Sequence, residues 1–163
     1  MDTLANARKA SGTSASRAVS IIIFAIGAIY AVMGVVMLFD PSLWFFHLVP
    51  GVPETGPFNA HLVADAGTFF IAIGIGLLIA AGNPLRHVSA IVVAAVAGLL
   101  HAGLHIVSHA DGALSLDHLT TETVGIYLPT IALIVIAASR GRTQTWSGTT
   151  AKQEINRHEN KTA

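Results

Sequence analysis

Four stretches of this chain are apolar over long runs, and polar residues fill the intervals between them. They span roughly residues 18–39, 59–81, 87–109 and 123–139. At a helical rise of about 1.5 Å per residue, runs of about 17 to 25 residues match a hydrocarbon core roughly 30 Å thick. A backbone in lipid must satisfy its own hydrogen bonds, so each run predicts a transmembrane helix. Short connections between four such helices predict an all-α, antiparallel four-helix bundle. Pro129, inside the fourth and shortest run, predicts a kink. The polar segments 1–17 and 140–163 are rich in Ser, Thr, Asn and Lys and are expected to be disordered cytoplasmic tails around a transmembrane domain at 18–139.

The first run follows Arg8, Lys9 and Arg17, as a signal peptide would. It exceeds the usual apolar region of about 7 to 15 residues, and it ends in Phe39, Asp40 and Pro41 rather than in small residues suited to cleavage. It reads as a retained helix.

Charge then orients the bundle. All nine Lys and Arg residues lie in the N-terminal segment, at Arg86 in the turn between the second and third helices, or from Arg140 onward. The 40–58 and 110–122 loops carry only acids: Asp40, Glu54, Asp111, Asp117 and Glu122. The positive-inside rule therefore places both termini in the cytoplasm and these two loops outside the cytoplasmic membrane.

Composition agrees with a membrane protein. Of 163 residues, 53% are hydrophobic and 11% charged, against about 25% charged in an ordinary soluble domain. There is no cysteine, which excludes disulfides, thiolate metal sites and CxxC redox chemistry. Nothing in the sequence points to nucleic acid. The expected surroundings are the lipid bilayer and either a membrane-protein partner or further copies of the chain.

Histidines carry the candidate chemistry. His101, His105 and His109 recur at four-residue spacing at the end of the third run, so their side chains share one helix face. His61 and Asp65 have the same spacing at the start of the second run. On the antiparallel bundle both sets fall at the outer end, with His105 about 6 Å and His101 about 12 Å deeper than His109. Ionisable groups in a membrane span are costly, and by default they mark a site or a pathway.

Three uses follow. An outward-facing site of His61, Asp65, His101, His105 and His109, with Asp111 and Glu122 orienting the ligands, suits zinc, iron or copper(II). A bis-histidine haem b would take His61 with His101 or His105. The same groups could instead handle protons, although Tyr30, Ser89 and Thr130 are the few polar residues continuing inward, so a site or pH sensor fits better than a conduit. Against all three stands a packing network joining the second and third helices in an accessory or structural subunit of a larger membrane complex. No separate general base or substrate pocket is visible, which weighs against an enzyme.

Other features read as architecture. Ala60, Gly67, Gly74 and Ala81 form a small-residue seam at seven-residue spacing, matched by Gly27 and Gly34 on the first helix. Trp44, Phe45 and Phe46 suit an interfacial anchor or a flat lid over the histidines. Residues 120–123 (TTET) read as the N-terminal cap of the fourth helix, with Glu122 favourable at its start.

The segments FNAHLVADAGTFFIAIGIGLLIAA and HAGLHIVSHAD resemble an uncharacterised family of small four-helix integral membrane proteins of actinobacteria. The family pattern H-x-V-x-D-x-G-x-F is met by His61, Val63, Asp65, Gly67 and Phe69. A second family pattern, H-x-x-S-H-x-x-D, is met by His105, Ser108 and His109, with Asp111 two residues further on rather than three. The resemblance covers about residues 20–139. It implies the four-helix fold and one site made of His61, Asp65, His105 and His109, and it implies no activity.

Overall fold

The computed structural model describes the backbone of residues 2–140 and the side chains of residues 16–140. The fold is all-α, with no strand among the described residues, and four of its helices are long and apolar enough to cross a membrane: Ser16–Phe39, Ala60–Gly82, Val88–Ala110 and Leu116–Arg140. These bounds lie within a few residues of the apolar runs, except that the fourth starts seven residues earlier. Helix α1 extends over Asp2–Phe39. The polar segment expected as an N-terminal tail therefore continues the helix back to Asp2. All but Arg140 of the expected C-terminal tail lies outside the described residues.

Each boundary has a local cause. Asp40 stops α1 and caps the short helix Pro41–Leu43, its Oδ1 accepting from the Leu43 amide at 3.0 Å and the Ser42 hydroxyl at 2.8 Å. These two donors, the amide foremost, hold the Asp40 carboxyl below its ordinary carboxylate value. A π-helical turn, Trp44–Leu48, follows and buries Phe45 against Met37 and Val63. The aromatic segment thus packs on the ends of the first two long helices through Phe45. Asn59 caps α2 (Ala60–Gly82) by accepting from the Leu62 amide. The turn at residues 83–87 then leads into α3 (Val88–Ala110).

Helix α4 spans Leu116–Arg140. It opens with a 3-10 turn capped by Ser115, whose hydroxyl accepts from the Asp117 amide, so the cap lies five residues upstream of the expected TTET box. Just before Pro129 the helix widens to a π turn over Thr123–Tyr127, with the Leu128 amide donating to the Thr123 carbonyl. Pro129 offers no amide hydrogen, and the expected interruption of the helix takes this form.

The small-residue seam packs α1 against α2. A Cβ placed on Gly34 would come within 2.6 Å of the Gly67 carbonyl oxygen, and one on Gly74 within 2.5 Å of the Ala31 nitrogen and 2.8 Å of the Gly27 carbonyl oxygen. The pairings 34 with 67 and 27 with 74 make the two helices antiparallel. Only glycine lets two helix backbones approach this closely. Between α3 and α4 the corresponding notch is Gly98, where a Cβ would lie 2.5 Å from Thr130 Oγ1.

Ile23, Leu77, Ile91 and Leu133, one from each helix, are fully buried and centre the main apolar cluster toward the 83–87 turn. The side chains facing outward are also large and apolar, among them Phe24, Phe69, Val93, Leu100 and Val135. A bundle with apolar walls suits a lipid solvent.

Candidate site: a buried carboxylate between imidazoles

At the opposite end of the bundle, α3 and α4 meet through polar groups. Glu122 lies one residue before the π turn of α4 and is only 6% exposed. His109 Nε2 is 2.7 Å from its Oε2, and His105 Nδ1 is 3.1 Å from its Oε1. The first contact is a hydrogen bond. The second is a close approach outside hydrogen-bond geometry, so the buried His105 Nδ1 has no hydrogen-bond partner. The Tyr127 hydroxyl donates a long 3.5 Å bond to Oε2. Behind them His101 stacks on His105, with ring centroids 4.8 Å apart, and meets the edge of Phe70.

Local folding sets these positions. Four-residue spacing aligns the three imidazoles on α3, as the sequence predicts. Past the end of α3, Gly112 takes φ +70°, and the Ala113 and Leu114 amides both return to the Ser108 carbonyl. That turn brings the Leu114 carbonyl oxygen to 3.1 Å from His109 Nδ1. His109 is thus held at both ring nitrogens. A second link lies further out, where His118 Nε2 meets Glu54 Oε1 at 2.9 Å and joins the 111–118 segment to the 40–58 loop. The His118 ring covers Gly51, whose φ is +86° and where a Cβ would come within 2.9 Å of that ring.

The expected ligand set divides. His105 and His109 meet at Glu122 with His101 behind His105, while His61 and Asp65 pair with each other at 3.3 Å, with side chains 88% and 55% exposed. They point away from the Glu122 centre, because α2 turns its glycine seam and its buried Val63 inward and leaves this face outside. Asp111 is exposed at the end of α3 and makes none of these contacts. Among the described residues no group of three or more His, Cys, Asp or Glu is arranged to hold a metal ion.

Glu122 is the residue that sequence reasoning underweighted. Within TTET it reads as a charge at a helix start, and the polar neighbours Thr120, Thr121 and Thr123 reinforce that reading. The available signal was the spacing itself: an acid inside a helix that stays apolar to residue 139 cannot face lipid cheaply. The Glu54–His118 link, 64 residues apart, left no such signal.

The chain is therefore a four-helix membrane bundle with a buried imidazole–carboxylate centre at one end. Compared with known protein families, curated proteins and solved structures, it matches none.

Proposed function

We propose that this chain is a pH-responsive multi-pass protein of the cytoplasmic membrane, in which Glu122, with His105 and His109, binds a proton. In this reading both termini lie in the cytoplasm, the side that the distribution of Lys and Arg favours, and the centre opens outward. One observation carries the reading: a carboxylate 6% exposed in an apolar bundle has an imidazole nitrogen at each oxygen. An ionised carboxylate without counter-charge is costly there, and protonation of the imidazoles or of the carboxylate removes the cost. Proton content and helix packing are then linked.

Metal ligation at the same end is the competing reading. The buried His105 Nδ1 without a hydrogen bond speaks for it, and the lack of a metal-holding group among the described residues speaks against it. A bis-histidine haem through His61 has less support, since that side chain is 88% exposed. The subunit reading draws no partner surface from the glycine seam, because α1 and α2 use it on each other.

The test is proton titration of detergent-purified protein, wild type beside Glu122→Gln, together with elemental analysis and an absorption spectrum. The expected result is about one fewer proton taken up by the variant between alkaline and mildly acid pH, with no stoichiometric metal in either. Equal uptake by both proteins would overturn the reading. Stoichiometric zinc, iron or copper that is lost in His105→Ala would replace it with a ligand set, and a Soret band would name haem. A copurifying partner at fixed stoichiometry with equal proton uptake would make the histidines a packing network.

A further inference from the structure

Proton accounting at His109 leads further. The Leu114 carbonyl oxygen can only accept a hydrogen bond, so His109 Nδ1, 3.1 Å away, must carry a hydrogen. A neutral imidazole has a single N–H, and its other nitrogen would then turn a lone pair toward Glu122 Oε2 at 2.7 Å. Two lone pairs do not meet at that distance in a buried site. One more proton therefore lies on the His109–Glu122 contact, whether on the ring or on the carboxyl.

The surrounding groups offer no substitute. From α4, the Tyr127 hydroxyl already donates to Oε2. From α3, His105 approaches Oε1 outside hydrogen-bond geometry, and His101 is stacked on His105 rather than on Glu122. From α1 and α2, Tyr30 and Phe70 lead in series to the His101 ring and bring neither a cation nor a carboxylate. Asp65 is occupied with His61. No other cation or acid contacts the centre among the described residues.

We propose that His109 is a proton-dependent tether, which holds the 111–118 segment against the bundle while the shared proton is present and releases it when the proton leaves. The inference rests on the proton-binding reading above and adds its structural output. When the proton departs, the remaining N–H moves to Nε2, because a bond to a charged carboxylate is stronger than one to a peptide carbonyl. Nδ1 is then a lone pair facing the Leu114 oxygen, and the side-chain tie to the turn is lost. Leu114, 6% exposed in the described state, is the residue that this tie seats. The Ala113 and Leu114 amide bonds to Ser108 and the His118–Glu54 link remain, so the segment loosens between two anchors instead of unfolding. The described conformation is the proton-bound one.

The experiment attaches a nitroxide at Leu116→Cys, an exposed position between the two remaining anchors, in a chain with no native cysteine, and follows its mobility against pH in nanodiscs. Side-chain nitrogen resonances of 15N-histidine are recorded on the same samples, with His109 assigned by its loss in His109→Gln. The expected result is a several-fold faster nitroxide as pH rises, in step with the change of the His109 tautomer. Glu122→Gln discriminates, because the glutamine amide can donate to Nε2 with no extra proton and should leave the nitroxide slow at every pH. A nitroxide unmoved in the wild type while the His109 signals titrate would overturn the tether and leave proton binding intact. Equal pH-dependent mobility in wild type and Glu122→Gln would also overturn it. His109 signals that do not change with pH would remove the proton-binding reading itself. Size-exclusion profiles and helical circular dichroism establish that each variant is folded before it is scored.

Discussion

At the scale of single residues, Glu122 dominates because it is, among the described residues, the one buried group contacted by two imidazoles. Removing one partner of a buried ionic set strands the others, so Glu122→Ala is expected to destabilise the bundle by roughly 3 kcal/mol in a denaturant titration in detergent, and Glu122→Gln by clearly less. Near-equal losses for the two would mean that packing, not charge, is what Glu122 supplies. Asp40 behaves differently, being exposed and useful as a cap. Its carboxyl is held below its ordinary value, chiefly by the Leu43 amide and then by the Ser42 hydroxyl. A depressed carboxyl contributes stability above its unfolded value, and that contribution is lost as pH falls through the lowered folded value. In a Trp146→Phe background, Trp44 fluorescence should therefore change in strong acid. Asp40→Asn, an equally good cap without a charge, should flatten that change.

These two acids also show what could be read in advance. The alignment of His101, His105 and His109 follows from helix geometry and was fully legible. Their partner was not, because the register between two helices depends on tertiary packing that no local pattern encodes. His61 and Asp65 show the same limit from the other side. Their spacing and depth matched the rest, yet the direction of the α2 face was decided by Gly67 and Gly74, which turn inward against α1. The motifs at residues 61–69 and 105–109 group His61 and Asp65 with His105 and His109 by pattern, and motifs do not carry rotation about a helix axis.

At the scale of elements, the pairs α1–α2 and α3–α4 are joined by different chemistry. The first pair is closed by backbone contact through Gly27, Gly34, Gly67 and Gly74. Gly74→Ala would put a methyl 2.5 Å from the Ala31 backbone and should cost about 1–3 kcal/mol, read as a lower thermal midpoint in detergent. Gly76→Ala, two residues on, meets nothing within 4 Å and should be neutral or stabilising by up to about 1 kcal/mol, through helix propensity alone. If both substitutions have the same effect, the seam is not what holds the pair. The second pair closes through the Gly98–Thr130 notch and the Glu122 centre, with the π turn between them. Such turns are frequent at functional sites because they re-aim the side chains beside them. The seam was visible as a seven-residue repeat. The π turn was foreseen only as a proline interruption, since its geometry depends on which carbonyls neighbouring residues can satisfy.

At the scale of the whole molecule, both acidic loops share one end, tied by Glu54 and His118, and the turn at residues 83–87 lies at the other. The orientation proposed from the cations has a direct check. Thr55→Cys should react with a membrane-impermeant maleimide on intact cells, and Leu85→Cys only after permeabilisation. The reverse pattern would invert the topology and turn the centre toward the cytoplasm.

The glycine seam has a further consequence for biosynthesis. Both helices that it joins belong to the first half of the chain, and every atom in that contact has been translated before α3 exists. The hairpin can therefore close in the bilayer before His101, His105 and His109 reach it. Helices α3 and α4 then arrive at a finished wall, and the last polar junction to form is the one at Glu122.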